Sequence, residues 1–143
     1  MDAGEETIMP VKIPSEVQEF LKGKVGWVAT SSKDGTPNVS LKGSLRVLDE
    51  GHLVFADINS LKTRKNLEEN PKVAVMAYDA EARKAYMLKG AVEIFSAGPL
   101  YDQVTQGMKQ HMPHLPAPKY VVKVTVDAVF DQSGGPSGGR QIA

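Results

Sequence analysis

The stretch from His52 to Pro71 reads HLVFADINSLKTRKNLEENP. His52 to Ile58, with Leu53, Val54 and Phe55 at its centre, predicts a strand. Ser60 offers a capping oxygen where a helix begins, and Asn70-Pro71 ends that helix, because a residue before proline is pushed out of the α region. A strand that passes through a short loop into a helix leaves the helix's first backbone N–H groups without internal partners. Those groups lie at the positive end of the macrodipole, so the helix end is suited to an anion. Ser60 and Thr63 add hydroxyls. Lys62, Arg64 and Lys65 place three cations in the first turns, where acidic residues are usual. Two readings fit this pattern. Either Ser60 is a plain cap and the cations form a solvated face, or a bound phosphate accounts for the reversed charge.

Extended segments and hairpin signals dominate on both sides of this stretch. Towards the N-terminus, Ser15 to Leu21 predicts a short helix, with Ser15 and Gln18 at capping-box spacing, Val17, Phe20 and Leu21 on one face, and Gly23 as its stop. Val25 to Ser32 predicts a strand, and Asp34-Gly35 a hairpin turn, because glycine accepts the positive φ such turns need. Pro37 to Leu48 reads as extended with an interruption at Gly43, and Glu50-Gly51 as the next turn. Beyond Pro71, Val73 to Tyr78 and Tyr86 to Phe95 predict strands joined by a polar turn over Asp79 to Lys84. Gly98-Pro99 opens a helix on which Leu100, Val104, Met108 and Met112 form one apolar stripe, broken at Pro113. Tyr120 to Phe130 predicts a last strand, with Val122, Val124 and Val126 on one face. Strands outnumber helices and hairpins join them. The expected fold is mainly β: an antiparallel sheet or small β-barrel with flanking helices, spanning residues 13–130. Residues 1–12 read as a flexible arm, and 131–143 as a Gly-rich tail, linker-like in composition but able to order on a partner chain.

The chain has 143 residues, and its 17 Lys and Arg balance 17 Asp and Glu. A net charge of zero provides no general field to attract a nucleic acid or an anionic membrane. Aromatics are sparse and scattered, which argues against base stacking. With no cysteine, disulfides, thiolate metal sites and cysteine nucleophiles are excluded. The start lacks the pattern of a secretory signal and no apolar run approaches a membrane span, so a cytoplasmic location is expected.

The order of these segments resembles the pyridoxamine 5'-phosphate oxidase-like, FMN-binding split barrels. The resemblance runs through VGWVATSS, KDGTPNVS, LRVLDEGHLVFAD, the S-x-K-T cluster and NLEENPKVAV, and covers roughly residues 14 to 130. Each motif is short; their order and spacing carry the likeness. It implies an antiparallel split β-barrel that forms a homodimer with FMN at the interface. The phosphate would lie against Lys62 and Thr63, with Ser60 close by. The flavin ring would lie along Asn38 to Lys42, with backbone groups of Ser40 and Leu41 at its polar edge. Phe55, Ala56 and Asp57 would flank the ribityl chain and ring. Partner-chain residues, from Pro116 to Tyr120 or the tail, would cover the rest. Family members that oxidise pyridoxamine phosphate carry an Arg-rich C-terminal substrate motif. The ending FDQSGGPSGGRQIA does not supply one, so that activity is not expected.

The remaining signals read as structural. His111 and His114 flank Pro113 with no third ligand nearby. GGPSGGR lacks the ending of a phosphate loop, and G-x-S-x-G is absent. Asp79 and Glu81 read as solvated turn charges. Trp27 reads as core, with a flavin or dimer contact as the alternative. Two functional readings remain. One is a flavin oxidoreductase or electron-transfer protein acting on an unknown small molecule or redox partner, in which Lys42 stabilises the anionic reduced ring. The other is a non-catalytic module of the same barrel, holding haem or a deazaflavin, or acting as a sensor.

Overall fold

The computed structural model describes residues 9–143; of the expected arm, residues 1–8 lie outside the described residues. The first helix, α1 (Ser15–Leu21), buries Val17 and Leu21. Its start differs from the capping-box expectation. Pro14 is the N-cap, no side chain caps the helix, and the Gln18 amide donates instead to the Ile13 carbonyl at 2.8 Å. Val11 N–H bonds the Val126 carbonyl, and Ile13 is fully buried, so the residues just before α1 are tied to the sheet.

Strands β1 (Gly26–Ser31) and β2 (Pro37–Lys42) form the expected hairpin. At its tip Gly35 has φ 89°, and Asp34 Oδ1 accepts bonds from the Thr36 N–H and hydroxyl at 3.1 and 2.9 Å. The extended stretch after Pro37 breaks at Gly43-Ser44, and its second half becomes β3 (Arg46–Asp49). Then follow β4 (His52–Asp57), α2 (Leu61–Glu69), β5 (Lys72–Asp79), β6 (Lys84–Phe95), α3 (Pro99–His111), β7 (Tyr120–Asp131) and β8 (Arg140–Gln141). All strand pairs are antiparallel, and the strand order is β2-β1-β5-β6-β7-β4-β3 with β8 on β7. The two halves of one extended stretch therefore end on opposite edges of the sheet. The sheet rolls until those edges approach, and Ser44 bridges the gap by accepting a bond from the Ala56 N–H at 2.9 Å. It does not close into a continuous barrel.

Two cores follow from strand alternation. Val28, Leu53, Phe55, Leu88, Val122 and Val124 fill the inside of the roll, which α1 helps to cover. Val54, Ala56 and Val121 face outward and are covered by Val104 and Met108 of α3. At the β6 bulge, between Lys89 and Gly90, β7 comes so close that a Cβ on Gly90 would lie 2.1 Å from the Thr125 carbonyl oxygen.

Two further expectations are corrected. Trp27 is not core: it is 46% exposed, on the outer face of β1. The tail is not a loose linker within this chain. β8 pairs with β7, the Ile142 N–H bonds the Val129 carbonyl, and Ile142 packs on the inner core.

Candidate functional site

The inward-facing side of β4 runs Leu53, Phe55, Asp57 and so ends in a charge. Asp57 is 1% exposed. A carboxylate this buried requires donors, and it has them. The Ser60 N–H donates to Oδ1 at 2.7 Å, the Tyr120 hydroxyl to Oδ2 at 2.8 Å, and the Lys42 ammonium lies 3.5 Å from Oδ2. Lys42 is itself buried and also donates to the Ser60 hydroxyl. Burial, and next the adjacent carboxylate, push the Tyr120 phenol well above its ordinary range. This buried group joins β2, β4, β7 and the loop before α2.

That loop sets the start of α2. Ser60 is the N-cap residue, but its side chain makes no cap bond; its hydroxyl is committed to Lys42. Among the described residues, the Lys62 and Thr63 N–H groups have no backbone partner, as expected for a first helical turn. No acidic residue occupies that turn. The helix is docked on the hairpin by polar bonds: Thr63 and Ser40 share a hydroxyl bond of 2.9 Å, and the Asn66 amide donates to Thr30 at 3.0 Å.

The three cations separate. Lys62 and Lys65 line an open cleft of about 490 Å³ with Asn38, Asn66 and the hairpin tip. Arg64 turns away, 3.5 Å from Glu68 and with its guanidinium 5.1 Å over the Tyr120 ring. A second cleft of about 200 Å³ begins at Ser60 and continues past Lys42, Leu41 and Ala56 to Met108 and Met112.

The residues singled out from sequence thus fall into three groups. Asn38, Ser40, Lys42, Asp57, Ser60, Lys62 and Thr63 converge around the start of α2. Ala56 and Leu41 line the second cleft. Phe55 stands apart: its side chain is fully buried in the inner core, because alternation turns it away from the outward-facing Val54 and Ala56, and it lines neither cleft. The bond of Tyr120, expected only as the end of a segment covering the partner's site, to Asp57 of its own chain went unforeseen, as did Asn66. Their partners lie 63 and 36 residues away, and nothing local marks such pairings. Among the described residues, no group of three or more His, Asp or Glu is placed to hold a metal ion, and no helix is long and apolar enough to cross a membrane. His111 and His114 are exposed at the end of α3.

Comparison with known proteins decides the family. The sequence profile described as pyridoxamine 5'-phosphate oxidase matches residues 13–133. The chain belongs to the pyridoxamine 5'-phosphate oxidase family. An uncharacterized protein of Methanocaldococcus jannaschii is 33% identical over 135 residues, covering 93% of this chain and 89% of that one. The crystal structure of HupZ from Group A Streptococcus superposes with a TM-score of 0.78 at 27% identity, over 89% of this chain and 99% of that chain. A Lactobacillus delbrueckii structure, provisionally described as a pyridoxamine 5'-phosphate oxidase, gives 0.69 at 26% identity over 83% and 93%. At the level of fold alone, the family architecture extends to an FMN-binding protein of Syntrophomonas wolfei (16% identity, TM-score 0.62, 78% of each chain). It also extends to HutZ, the heme storage protein of Vibrio cholerae (20%, 0.64, 87% and 98%).

Proposed function

We propose that this family member is an FMN-binding flavoprotein that works as an oxidoreductase or electron carrier on a small molecule or redox partner. The observation that carries the reading is the start of α2: Lys62 and Thr63 N–H groups without a partner among the described residues, an exposed Lys62 and Lys65, and a first turn without acid. This donor set fits a phosphate. The adjoining cleft, with Leu41, Ala56, Met108 and Met112 on its walls, fits a flat ring with one apolar face. β2 is an edge strand; alternate residues of such a strand turn their N–H and C=O groups away from the sheet, where they can meet the polar edge of the ring.

When bound, FMN would supply the redox chemistry, while the protein supplies binding, orientation and electrostatics. Lys62, the free N–H groups and Thr63 bind the phosphate, and Lys65 adds attraction. Asp57 positions the loop through the Ser60 N–H. The Lys42 ammonium is offset by Asp57 and bonded to Ser60, so we assign it to holding this loop rather than to the ring edge.

A homodimer belongs to the same reading. Trp27, Val39, Leu41 and Tyr78 are 46%, 61%, 55% and 55% exposed on the outer face of β2-β1-β5. They are contiguous, since Trp27 stands opposite Leu41 on one side and Met76 on the other. An apolar patch of this kind marks an interface. A second copy seated there would lie beside Leu41 and the ring cleft.

The test is the visible spectrum of the purified protein, followed by titration of the FMN-free protein with FMN. Flavin bands, or saturable quenching lost in the Lys62→Ala/Thr63→Ala double variant, support the reading. A Soret band, or a colourless protein with no affinity for FMN, overturns it.

A further inference from the structure

A second groove opens beyond the cleft assigned to the ring. It lies between α3 and the turn that joins β2 to β3, and has a volume of about 520 Å³. Leu45, Val104 and Met108 form its floor and are buried in the monomer. Its rim is basic, with Lys24, Arg46 and His111. Lys24 is already engaged, 3.7 Å from Asp79 and 4.9 Å over the Phe20 ring. Arg46 is not: among the described residues, no carboxylate lies within ion-pair distance of it.

The position of Arg46 depends on one glycine. A Cβ on Gly107 would stand 3.4 and 3.6 Å from the two terminal guanidinium nitrogens. Arg46 therefore rests against α3 at the point where the helix carries no side chain, which holds its planar fork at the groove. On its far side lies a shallower cleft walled by Gln103, Gln106 and Gln110, which are neutral amides. Among the described residues, no acidic side chain lines either cleft. An unpaired arginine, an apolar floor and neutral or basic walls together select an anion carried on an apolar body. Arginine suits a carboxylate better than lysine does, because its fork binds both oxygens.

We infer that this groove is the substrate pocket and that it takes a small organic carboxylate with an aromatic or aliphatic body, anchored by Arg46. The inference rests on the flavin reading for the word substrate, because the groove shares Gly43, Ser44, Met108 and Met112 with the ring cleft. A molecule anchored at Arg46 lays its apolar end towards the ring over the two methionines.

The experiment titrates the full-length protein with 2-naphthoate, and in parallel with the uncharged 2-naphthalenemethanol, following backbone amide shifts by NMR. The expected result is saturable binding of the carboxylate with shifts centred on Gly43, Gly107 and His111. Arg46→Ala weakens it roughly tenfold or more, as expected on losing a charged hydrogen-bond partner; Arg46→Lys restores part. Arg46 is exposed, so both variants keep the parent's circular dichroism and FMN affinity. The inference is overturned if the alcohol binds as tightly as the carboxylate, if Arg46→Ala leaves the affinity unchanged, or if no saturable shifts arise at those residues. Failure of the flavin reading registers separately. Lys62→Ala/Thr63→Ala acts on FMN and leaves naphthoate binding intact, and a parent protein that binds naphthoate as described but not FMN retains the anion pocket without the flavin.

Discussion

Three protein groups converge on the Asp57 carboxylate, from β2, from β7 and from the loop before α2. Removing the acid leaves Lys42 charged and buried without its counter-ion. Asp57→Ala is expected to cost about 3–5 kcal/mol, read by urea unfolding, and to weaken FMN binding because Ser60 loses its anchor. Tyr120→Phe removes a single donor to the carboxylate and is expected to cost about 1–2 kcal/mol. The two variants also separate by pH. The folded protein holds the Tyr120 proton more tightly than the unfolded chain, whose tyrosine has the ordinary value of 10.0. That contribution to stability is complete below the ordinary value and declines as the unfolded state ionises above it. Urea midpoints should therefore fall as pH rises past about 10, and fall less steeply in Tyr120→Phe; parallel curves would refute the coupling. Gly90→Ala meets backbone rather than a yielding side chain, so a loss of about 3 kcal/mol or more is expected, measured the same way.

At the scale of elements, α2 is fastened by polar bonds and not by a large apolar face: Thr63, Asn66 and Leu67 are its only buried residues. Asn66→Ala should cost about 1–2 kcal/mol and speed hydrogen exchange through α2 more than through β6 and β7. Equal exchange in both regions would mean that the helix does not open on its own. In the β1–β2 hairpin, hydrogen bonds from Ser32 and then Thr36 hold the Asp34 carboxyl down at about 2. An NMR titration should find that midpoint and see it rise in Thr36→Val; the turn's contribution, present above the ordinary value of 3.8, is lost as pH falls through the lowered one. These elements also show what local sequence conveys. Asp34-Gly35 announced its turn and the Leu100–Met112 stripe its helix, because each depends on residues within a few positions. Ser15 and Ser60 carried capping signals that the structure uses otherwise. At α1, Pro14 supplies the cap position. At α2, the Ser60 hydroxyl bonds Lys42, eighteen residues away.

At the scale of the whole molecule, the rolled sheet leaves β2 and β3 as two free edges and one apolar outer face uncovered. Trp27 shows the difference this makes. The alternation of Val25, Trp27 and Ala29 placed it on one face of a strand, and only the folded sheet, in which Trp27 is exposed and Val28 buried, showed that this face looks outward. Replacing Trp27 and Leu41 together by Glu should convert a dimer into a monomer by sedimentation velocity and lower FMN affinity. A parent protein that sediments as a monomer would remove the interface reading.

What the sequence alone determined was the succession of strands, turns and helices, the mainly antiparallel fold, the family likeness and the anion-friendly start of α2. Each rests on short-range periodicity, on turn chemistry, or on the order of motifs along the chain. The tertiary structure decided which face of each strand is inside, and so turned the Phe55 side chain into the core and exposed Trp27. It also decided which cations remain free, since Arg64 is taken by Glu68 and Tyr120, Lys42 by Asp57, and Lys62 and Arg46 by no carboxylate among the described residues. The physical reason is that a charge acquires its role from the partner that folding brings within a few ångströms, and such partners are set by topology across tens of residues.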